Sequence, residues 1–508
     1  MLTSTQFRDE FENLEFVHAI LGNIDDSRLP KDYRREIMLR TARDILNSGL
    51  PGRDFLAACA YGNIRAVRES LEHGSDIHQL GSEAILLAET HNHPRIVELL
   101  LQDPRTVIRP LDVFSIMSHA AVKGQSEIMR LFLSSDKAEL VPEMMKELLH
   151  LSILGRNPEC VQLILQDDRT IYPEPDNRAF KEAIKYGLTE AVRVFLTDIR
   201  TDPALDNQFA VCKAAQRGYV EILEMLLVDN RVEPNARFDA PFRLAAANGH
   251  RSTMEVLLRH WSVDPTAEDN EALLSAAKNG YSDVVELLLE ERAVYSSTLT
   301  LERAFKIAVE NNRISIVIQL LQFPEVDPGM YLNLPMQIAA SQGLTELAQI
   351  LLQDPRVDPS DLKSIAFRDA VRCGHFEMVK LLLKHPKVDP TVLSNSAISV
   401  ASDMGHHNIV ALLLKDPRVD PSVRSNEPLR LAAANGAHKI VHLLLKHPRV
   451  NPTDLNSGAL QLACANQQNA VVKLLLKDGR SDVSTATRYT AKNEHVHINL
   501  YEPRKFIK

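Results

Sequence analysis

The stretch LLLKDPRVDPS at residues 412–422 places two prolines on either side of a valine, and it returns almost unchanged along the chain. Close copies are LLQDPRVDPS at 351–360, LLLKHPKVDPT at 381–391 and LLLKHPRVNPT at 443–453. A motif that returns at a fixed distance indicates an array of stacked structural units rather than a set of independent domains.

The second proline of each copy sets the period. Pro359, Pro390, Pro421 and Pro452 follow one another at steps of 31 residues. Ser296 stands where one proline of the series is missing, so the gap between its neighbours spans two steps. The whole series is Pro110, Pro142, Pro173, Pro203, Pro234, Pro265, Pro328, Pro359, Pro390, Pro421 and Pro452.

One unit, SVRSNEPLRLAAANGAHKIVHLLLKHPRVNP at 422–452, predicts two helices. Asn426 is a good residue to cap the first helix, and Pro428 fits its first turn, where the missing N–H costs little. Gly436 suits the left-handed end of that helix. The second helix carries apolar residues at helical spacing. In other units, caps of this second helix are predicted at Ser126, Thr189, Ser282 and Thr345.

The loop between units explains the two prolines. Pro417 cannot continue a helix, so it ends the second helix of its unit. Val419 is an apolar residue in a polar loop, which predicts that it fills the core between neighbouring units. Pro421 favours extended backbone for itself and for Asp420, and the aspartate can accept a local backbone N–H. The motif recurs because each unit must stack on the next to bury its apolar faces.

These units resemble the ankyrin repeat. LRLAAANGAHKIVHLLLKHPRVNP at 429–452 follows the family pattern LHxAAxxGHxEVVKLLLxxGADVN, as do LLSAAKNGYSDVVELLLEERAV at 273–294 and FLAACAYGNIRAVRESLEHGSDI at 55–77. The resemblance covers about 14 units. It implies an all-α solenoid of stacked helix-turn-helix units with short hairpin or extended loops, and a protein-binding surface that is concave on the side of the first helices.

Two departures from the family pattern stand out. The usual Thr-Pro-Leu-His opening is replaced, for example by EPLR at 427–430, and the loop is two residues shorter than usual. The projecting fingers are therefore expected to be short. The proline-rich loop is similar to a variant found in large ankyrin families of protists and giant viruses.

Length and composition limit the function classes. The 508 residues are 45% apolar and 25% charged with a net charge of −9, which gives no electrostatic support for binding nucleic acid or an anionic membrane. The sequence contains no run of 18 apolar residues, so we expect no membrane span, and its acidic first residues without an apolar segment do not predict a secretory leader. We therefore expect a monomer in the cytoplasm, with the nucleus as the alternative.

The sequence offers no catalytic or metal-binding pattern. The five cysteines lie far apart, which predicts free thiols, and no nucleotide-binding, hydrolase or metalloprotease motif is present. His250, His375 and His406 each follow a glycine at the same place in their units, so we predict that they serve the turn between the helices. HNH at 91–93 lies at the same turn of its own unit, and the Asp pair at 167–168 replaces the Asp-Pro of other units. We therefore predict a turn role for the first and a loop role for the second. We expect no enzyme activity, no cofactor and no metal ion.

The termini depart from the period, so we divide the chain into an N-terminal segment at 1–52, the array at 53–483 and a tail at 484–508. The first segment predicts a helical cap, with the start of an F-box as the alternative. The tail carries a net charge of +3. It is predicted to fray or dock loosely, with a short linear motif, or metal ligation by His495 and His497, as alternatives.

The positions that vary between units predict the partner-binding surface. They lie just after the second proline or near the exposed start of the first helix, and arginine and aromatic residues there are typical of interfaces. A partly basic surface on an acidic protein predicts an acidic or extended protein partner, although ordinary solvated positions would give the same pattern. The candidate residues are Arg237, Phe238, Arg243, Tyr331, Gln337, Lys363, Arg368, Arg424 and Arg430.

Together these observations predict a non-catalytic scaffold that binds a protein partner on the concave face of the array. The alternative is an adaptor that brings a bound target to a ubiquitin-ligase or signalling machine through the N- or C-terminal segment.

Overall fold

The structure is a computed structural model that describes residues 52–74, 77–172 and 177–481, together with Ile45 and Ser484. These residues form 29 helices and no strand, so the predicted all-α class is confirmed for the part of the chain described. The predicted cap and tail, including His495 and His497, fall almost entirely outside the described residues.

The chain divides into two compact units between Asp264 and Pro265. The helices of the first unit are α1 (Arg53–Tyr61), α2 (Ile64–Glu72), α3 (Ile77–Thr90), α4 (Pro94–Gln102), α5 (Pro110–Lys123), α6 (Ser126–Leu133), α7 (Pro142–Leu154), α8 (Pro158–Gln166), α9 (Arg178–Lys185), α10 (Thr189–Thr197), α11 (Leu205–Arg217), α12 (Val220–Leu227), α13 (Ala236–Ala247) and α14 (Arg251–Leu258).

The second unit, from Pro265 onward, contains the remaining 15 helices among the described residues. Its helices are α15 (Ala267–Asn279), α16 (Ser282–Glu290), α17 (Arg292–Tyr295), α18 (Thr298–Glu310), α19 (Ile314–Leu320), α20 (Met330–Gln342), α21 (Thr345–Leu351), α22 (Asp361–Cys373), α23 (Phe376–Leu383), α24 (Val392–Asp403), α25 (His407–Leu413), α26 (Val423–Ala434), α27 (His438–Leu445), α28 (Asp454–Ala465) and α29 (Asn469–Asp478).

All helices except the single-turn α17 form 14 antiparallel pairs, which we call repeats. Within each unit a first helix packs on the first helix of the next repeat, as α11 does on α13 and α26 on α28, and second helices pack on second helices. Fully buried alanines such as Ala245 and Ala432 lie on the first helices, where a small side chain allows close approach. The array geometry is therefore the one that the sequence predicts.

The loop between repeats also matches its prediction. Val419 is buried, as are its equivalents Val357, Val388 and Val450, so the valine fills the core between repeats. Asp420 Oδ1 accepts the backbone N–H of Ser422 at 3.0 Å, which is the predicted local turn. The helix ends at Leu413, ahead of Pro417.

The predicted caps of the second helices are wrong. Ser126, Thr189, Ser282 and Thr345 are the first helical residues, and the preceding residue occupies the N-cap position without a side-chain cap bond. The reason is that the cap position sits beside the preceding repeat. The side chain there reaches across to that repeat, as His375 and His250 do.

Candidate partner-binding surface

Eight of the 14 repeats begin their first helix with a left-handed turn. In each, three consecutive residues have φ between 50° and 64°, and the helix bounds given above include this turn. Left-handed geometry costs an L-residue roughly 1–2 kcal/mol, so the surroundings must hold these turns in place. The turns lie at 206–208, 237–239, 268–270, 331–333, 362–364, 393–395, 424–426 and 455–457.

In five of the eight turns, the third residue is held by the next repeat. Asn426 Oδ1 accepts the backbone N–H of Asn451 at 2.9 Å, and its Nδ2 donates to Asp454 Oδ2 at 2.5 Å. Asn426 was predicted as a helix cap, and this is a correction: its side chain is buried against the following loop. Asn395 accepts the N–H of Asp420 in the same way at 2.9 Å.

The first unit uses other residue types for the same contact. Asp239 Oδ1 accepts the N–H of Asp264 at 3.0 Å, and Gln208 Oε1 accepts the N–H of Glu233 at 3.2 Å. Burial raises the pKa of the Asp239 carboxyl. Each acceptor lies 25 residues before its donor, so we call this contact the inter-repeat clamp.

Some of the predicted binding residues donate hydrogen bonds to the backbone carbonyls of their own left-handed turn, and we call them closing residues. Arg430 Nε donates to Ser425 O at 3.2 Å and its Nη2 donates to Arg424 O at 3.1 Å. Arg243 Nε donates to Phe238 O at 2.8 Å, and its Nη2 reaches Arg237 O. These guanidinium groups therefore satisfy carbonyl oxygens that the left-handed turn leaves without a helical partner.

Two further repeats follow this pattern. Arg368 donates to Lys363 O at 3.2 Å and to Leu362 O at 3.3 Å. Gln337 Nε2 donates to Leu332 O at 2.7 Å. Gln461, which the sequence analysis did not select, makes the same bond to Asn456 O, and its spacing from Arg430 is the signal that could have found it.

Where the closing residue is short, an arginine from the next repeat takes its place. Ser399 occupies the position equivalent to Arg430, and its Oγ donates to Glu427 Oε2 at 2.8 Å. Arg424 Nη2 instead donates to Leu393 O of that repeat at 3.3 Å. Cys212 has the same position in its own repeat; burial raises the pKa of its thiol, and the positive charge of Arg237 in the next turn partly offsets that rise.

A shallow cavity of about 530 Å³ lies on the first unit at these turns, lined by Asn207, Arg237, Phe238, Ala240 and Arg243. The structure thus brings together the three candidate residues of this unit. Phe238 is 75% exposed, which is unusual for a phenylalanine held on a fixed turn.

The second unit carries exposed apolar side chains at the first position of the turn. Tyr331 was selected from the sequence, but Leu362, Leu393 and Leu455 were not. They recur at multiples of 31 residues, and that spacing was available in the sequence. We call these four residues the apolar ladder. Lys363, the remaining candidate, is also exposed and follows Leu362 directly.

The Asp-Pro-Arg segments hold neighbouring repeats together. Arg418 donates to both oxygens of Asp416, at 3.0 and 2.7 Å, and to Val388 O of the preceding repeat at 3.3 Å. This side-chain hydrogen bond, more than any other contact, lowers the pKa of Asp416. Asp167 pairs with Arg169 in the same arrangement, so its predicted loop role is confirmed.

The histidines between the helices also serve packing. Nε2–H of His250 donates to Gln216 O at 3.0 Å, and those of His375 and His406 donate to Ser341 O and Arg372 O at 2.9 and 3.0 Å. The predicted turn role is confirmed for all three. His93, in the HNH segment, makes the equivalent bond to the preceding repeat.

Four of the five cysteines are buried. All five cysteines are free, and burial raises the pKa of the Cys59 and Cys160 thiols to about 12. Within residues 52–481, apart from the gaps noted above, no group of acidic, His and Cys side chains is arranged to hold a metal ion. Nor does any described helix have the length and apolar character needed to cross a membrane.

A match to a protein-family model agrees with this architecture. The family model described as ankyrin repeats (3 copies) matches residues 211–298, 305–394, 336–425 and 398–487, which together exceed half of the chain. No curated protein matches the sequence. Among solved structures, the crystal structure of the pentatricopeptide repeat protein PPR10 from maize matches with 13% identity, 95% coverage of this chain and 78% of that chain. Its TM-score of 0.24 is too low to bear on the fold. On the family match and the helix pairs, the chain is a member of the ankyrin-repeat family.

Proposed function

We propose that the protein is a non-catalytic scaffold that binds a protein partner on the surface formed by its first helices and left-handed turns, the side that the family resemblance expects to be concave. The observation that carries this proposal is the pairing of exposed apolar side chains with a turn held in place from both sides. Apolar and aromatic residues on a rigid support lose little entropy on binding, which favours an interface.

The nine candidate residues fall into two groups within this proposal. Phe238, Tyr331 and Lys363 have exposed side chains and would contact the partner directly. The other six hold the turn or reach a neighbouring turn, and present their remaining polar groups to the partner. The six are Arg237, Arg243, Gln337, Arg368, Arg424 and Arg430.

This division decides how the proposal is tested. Replacing the arginines would disturb the turns themselves, so the test variant changes only Phe238, Tyr331 and Lys363 to Ser in the full chain. A matched control changes Val228, Ile318 and Lys439 to Ser, which are exposed residues on or next to second helices. Both baits are used for affinity capture from a cell lysate beside the unchanged chain, with the captured proteins identified by mass spectrometry.

We expect proteins that the unchanged chain and the control capture, and that the test variant loses. A partner held equally by all three baits would contradict binding at the turns. It would favour the adaptor alternative, in which the terminal segments recruit the partner.

A further inference from the structure

The apolar ladder of the second unit has a regular geometry. Tyr331, Leu362, Leu393 and Leu455 are 64, 49, 40 and 57% exposed, and each occupies the first position of its left-handed turn. Arg424 holds the same position in the one repeat that interrupts the series. A single exposed leucine is ordinary, but the same exposed position in successive repeats indicates a binding surface.

Positive charge runs beside the ladder. Lys363, Arg368 and Arg430 lie in the same turns or on the first turn of the helix that follows, and no described carboxylate is within ion-pair distance of any of them. Arg424 has one such neighbour, Glu427, at 3.3 Å. A basic strip on a protein of net charge −9 is complementary to an acidic ligand.

The distance between rungs restricts the ligand's conformation. Neighbouring first helices pack directly, which sets a separation of about 8–10 Å. A β-strand presents side chains on one face every ~6.6 Å, which is shorter than the separation of neighbouring ladder residues. A polyproline II helix has three residues per turn and a rise of ~3.1 Å, so it presents one side chain on the same face every ~9.3 Å.

An α-helix could also match the distance, because residues seven apart are separated by ~10.5 Å. Its apolar face, however, covers an arc of at least ~100° on a cylinder ~10 Å wide. The ladder is one apolar side chain wide at Leu362, Leu393 and Leu455, each of which is followed by a polar or charged residue, and two wide at Tyr331, where the exposed Leu332 follows. A thin extended ligand fits this surface better.

We propose that the ladder of the second unit binds an acidic peptide segment in polyproline II conformation that carries an apolar side chain at every third residue. This inference rests on the proposed function and specifies its ligand. The apolar residues contact Tyr331, Leu362, Leu393 and Leu455, and the intervening carboxylates face Lys363 and the two flanking arginines, Arg368 and Arg430.

Fluorescence anisotropy with labelled peptides and the full chain tests this proposal. The first peptide repeats the triplet Leu-Glu-Pro over a length that spans the ladder. The second has the same composition with the leucines at irregular spacing, and the third replaces Glu by Lys. We expect the first peptide to bind about tenfold more tightly than the second, because only it buries a leucine at every rung, and the third to show no binding. Equal affinity for the first two peptides would overturn the proposed register.

Variants of the protein test whether the peptide binds at the apolar ladder. Changing Leu362 and Leu393 to Ser should weaken binding of the Leu-Glu-Pro peptide about tenfold, for the same loss of buried apolar contact. Changing Ile318 and Met404, which are equally exposed but lie off the ladder, should leave it unchanged. Equal losses in the two variants would overturn the proposal.

The outcome can be separated from that of the proposed function. If no peptide binds while captured proteins still depend on Phe238, Tyr331 and Lys363, the scaffold proposal stands and the ligand class is wrong. If capture is also insensitive to those residues, both proposals fail.

Discussion

Two regions of the molecule begin the same kind of helix by different means. In the first unit, α5 and α7 start with Pro110 and Pro142 at the first helical position, and no left-handed turn precedes them. In the second unit, five successive first helices from α20 to α28 start with a left-handed turn, and in three of them the next repeat donates a hydrogen bond to the third residue of the turn. A proline start is local, because it fixes the backbone without help. A left-handed start depends on distant residues.

The second unit contains its own exception, which supports this distinction. α18 follows the missing proline, and Ser297 caps it by accepting the N–H of Thr300 at 3.3 Å. No left-handed turn forms there. Asn270 of the preceding turn then donates to the Thr300 hydroxyl at 3.1 Å instead of accepting a loop N–H. Ser297 therefore starts α18 with a local cap, while the left-handed turn at 268–270, which starts α15, forms without a clamp.

The largest expected effect comes from breaking one clamp. Asn426→Ala removes the acceptor of the Asn451 N–H and places alanine in left-handed geometry, so we expect the repeat to lose about 3 kcal/mol of local stability. Hydrogen exchange of the α26 and α28 amides measures this loss. Asn456→Ala is the control, since Asn456 is left-handed but exposed. Similar losses in the two variants would show that the clamp contributes little.

The two regions should also differ in the unchanged protein. We expect amides between residues 111 and 172 to exchange at least about tenfold faster than those between 328 and 452. The first region departs most from the repeat pattern and packs polar groups at its helix interface, such as His119 against the fully buried Glu89. Hydrogen exchange with mass spectrometry gives the comparison directly. Uniform protection would contradict it.

A smaller effect is expected for the closing arginines. Arg430→Ala removes two charge-assisted bonds to carbonyl oxygens at a half-exposed site, so we expect a local loss of about 1 kcal/mol. Arg430→Gln should retain most of the stability, because Gln337 and Gln461 close their own turns with one bond. Urea denaturation followed by exchange at α26 checks both variants. If Arg430→Gln lost as much stability as Arg430→Ala, the hydrogen bonds to the turn carbonyls would not be the source of the stabilisation.

The smallest effect depends on pH. Asp358 accepts from the Ser360 hydroxyl and is near Lys387, and the hydrogen bond from Ser360 is the main reason that its pKa falls to about 2. A carboxyl with a lowered pKa stabilises the fold above its ordinary pKa and loses that contribution as the pH falls toward 2. Asp358→Asn should therefore cost under about 1 kcal/mol at pH 7, since the group is partly exposed.

Stability measured at several pH values tests the sign. The difference between Asp358→Asn and the unchanged chain should shrink as the pH falls from 4 toward about 2. A difference that stays constant would show that charge at Asp358 plays no part.

The features that the sequence predicted correctly are those that repeat or act locally. The period predicts the 14 repeats. The burial of Val419 was predictable because it is an apolar residue in a polar loop, and the bond of Asp420 was predictable because its partner is only two residues away. His250 was assigned to the turn because its position recurs. Each of these inferences needed only the spacing or the chemistry of neighbouring residues.

The left-handed turns were missed for a physical reason. Three consecutive left-handed L-residues oppose local backbone preference, so no local pattern predicts them. Asn426 is equally suitable as a helix cap, and only its contact with Asn451 distinguishes the two roles. Arg430 looks like an interface residue by type, while the direction of its guanidinium toward Ser425 O depends on the turn geometry.

The clamp has a consequence for how such a chain is made and how it changes. The acceptor on Asn426 precedes its donor on Asn451 by 25 residues, so a growing chain exposes each turn before the loop that completes it has been synthesised. During synthesis each clamp therefore becomes complete only after the loop of the following repeat has been added. At the level of the gene, duplication of a whole 31-residue block supplies every turn with a new donor at the right distance, whereas loss of one codon between Asn426 and Asn451 leaves an acceptor misaligned. The clamped part of the array can lengthen by whole repeats but tolerates poorly a change in the length of one, whereas the unclamped repeats nearer the N-terminus do vary in length, as the 32-residue step from Pro110 to Pro142 shows.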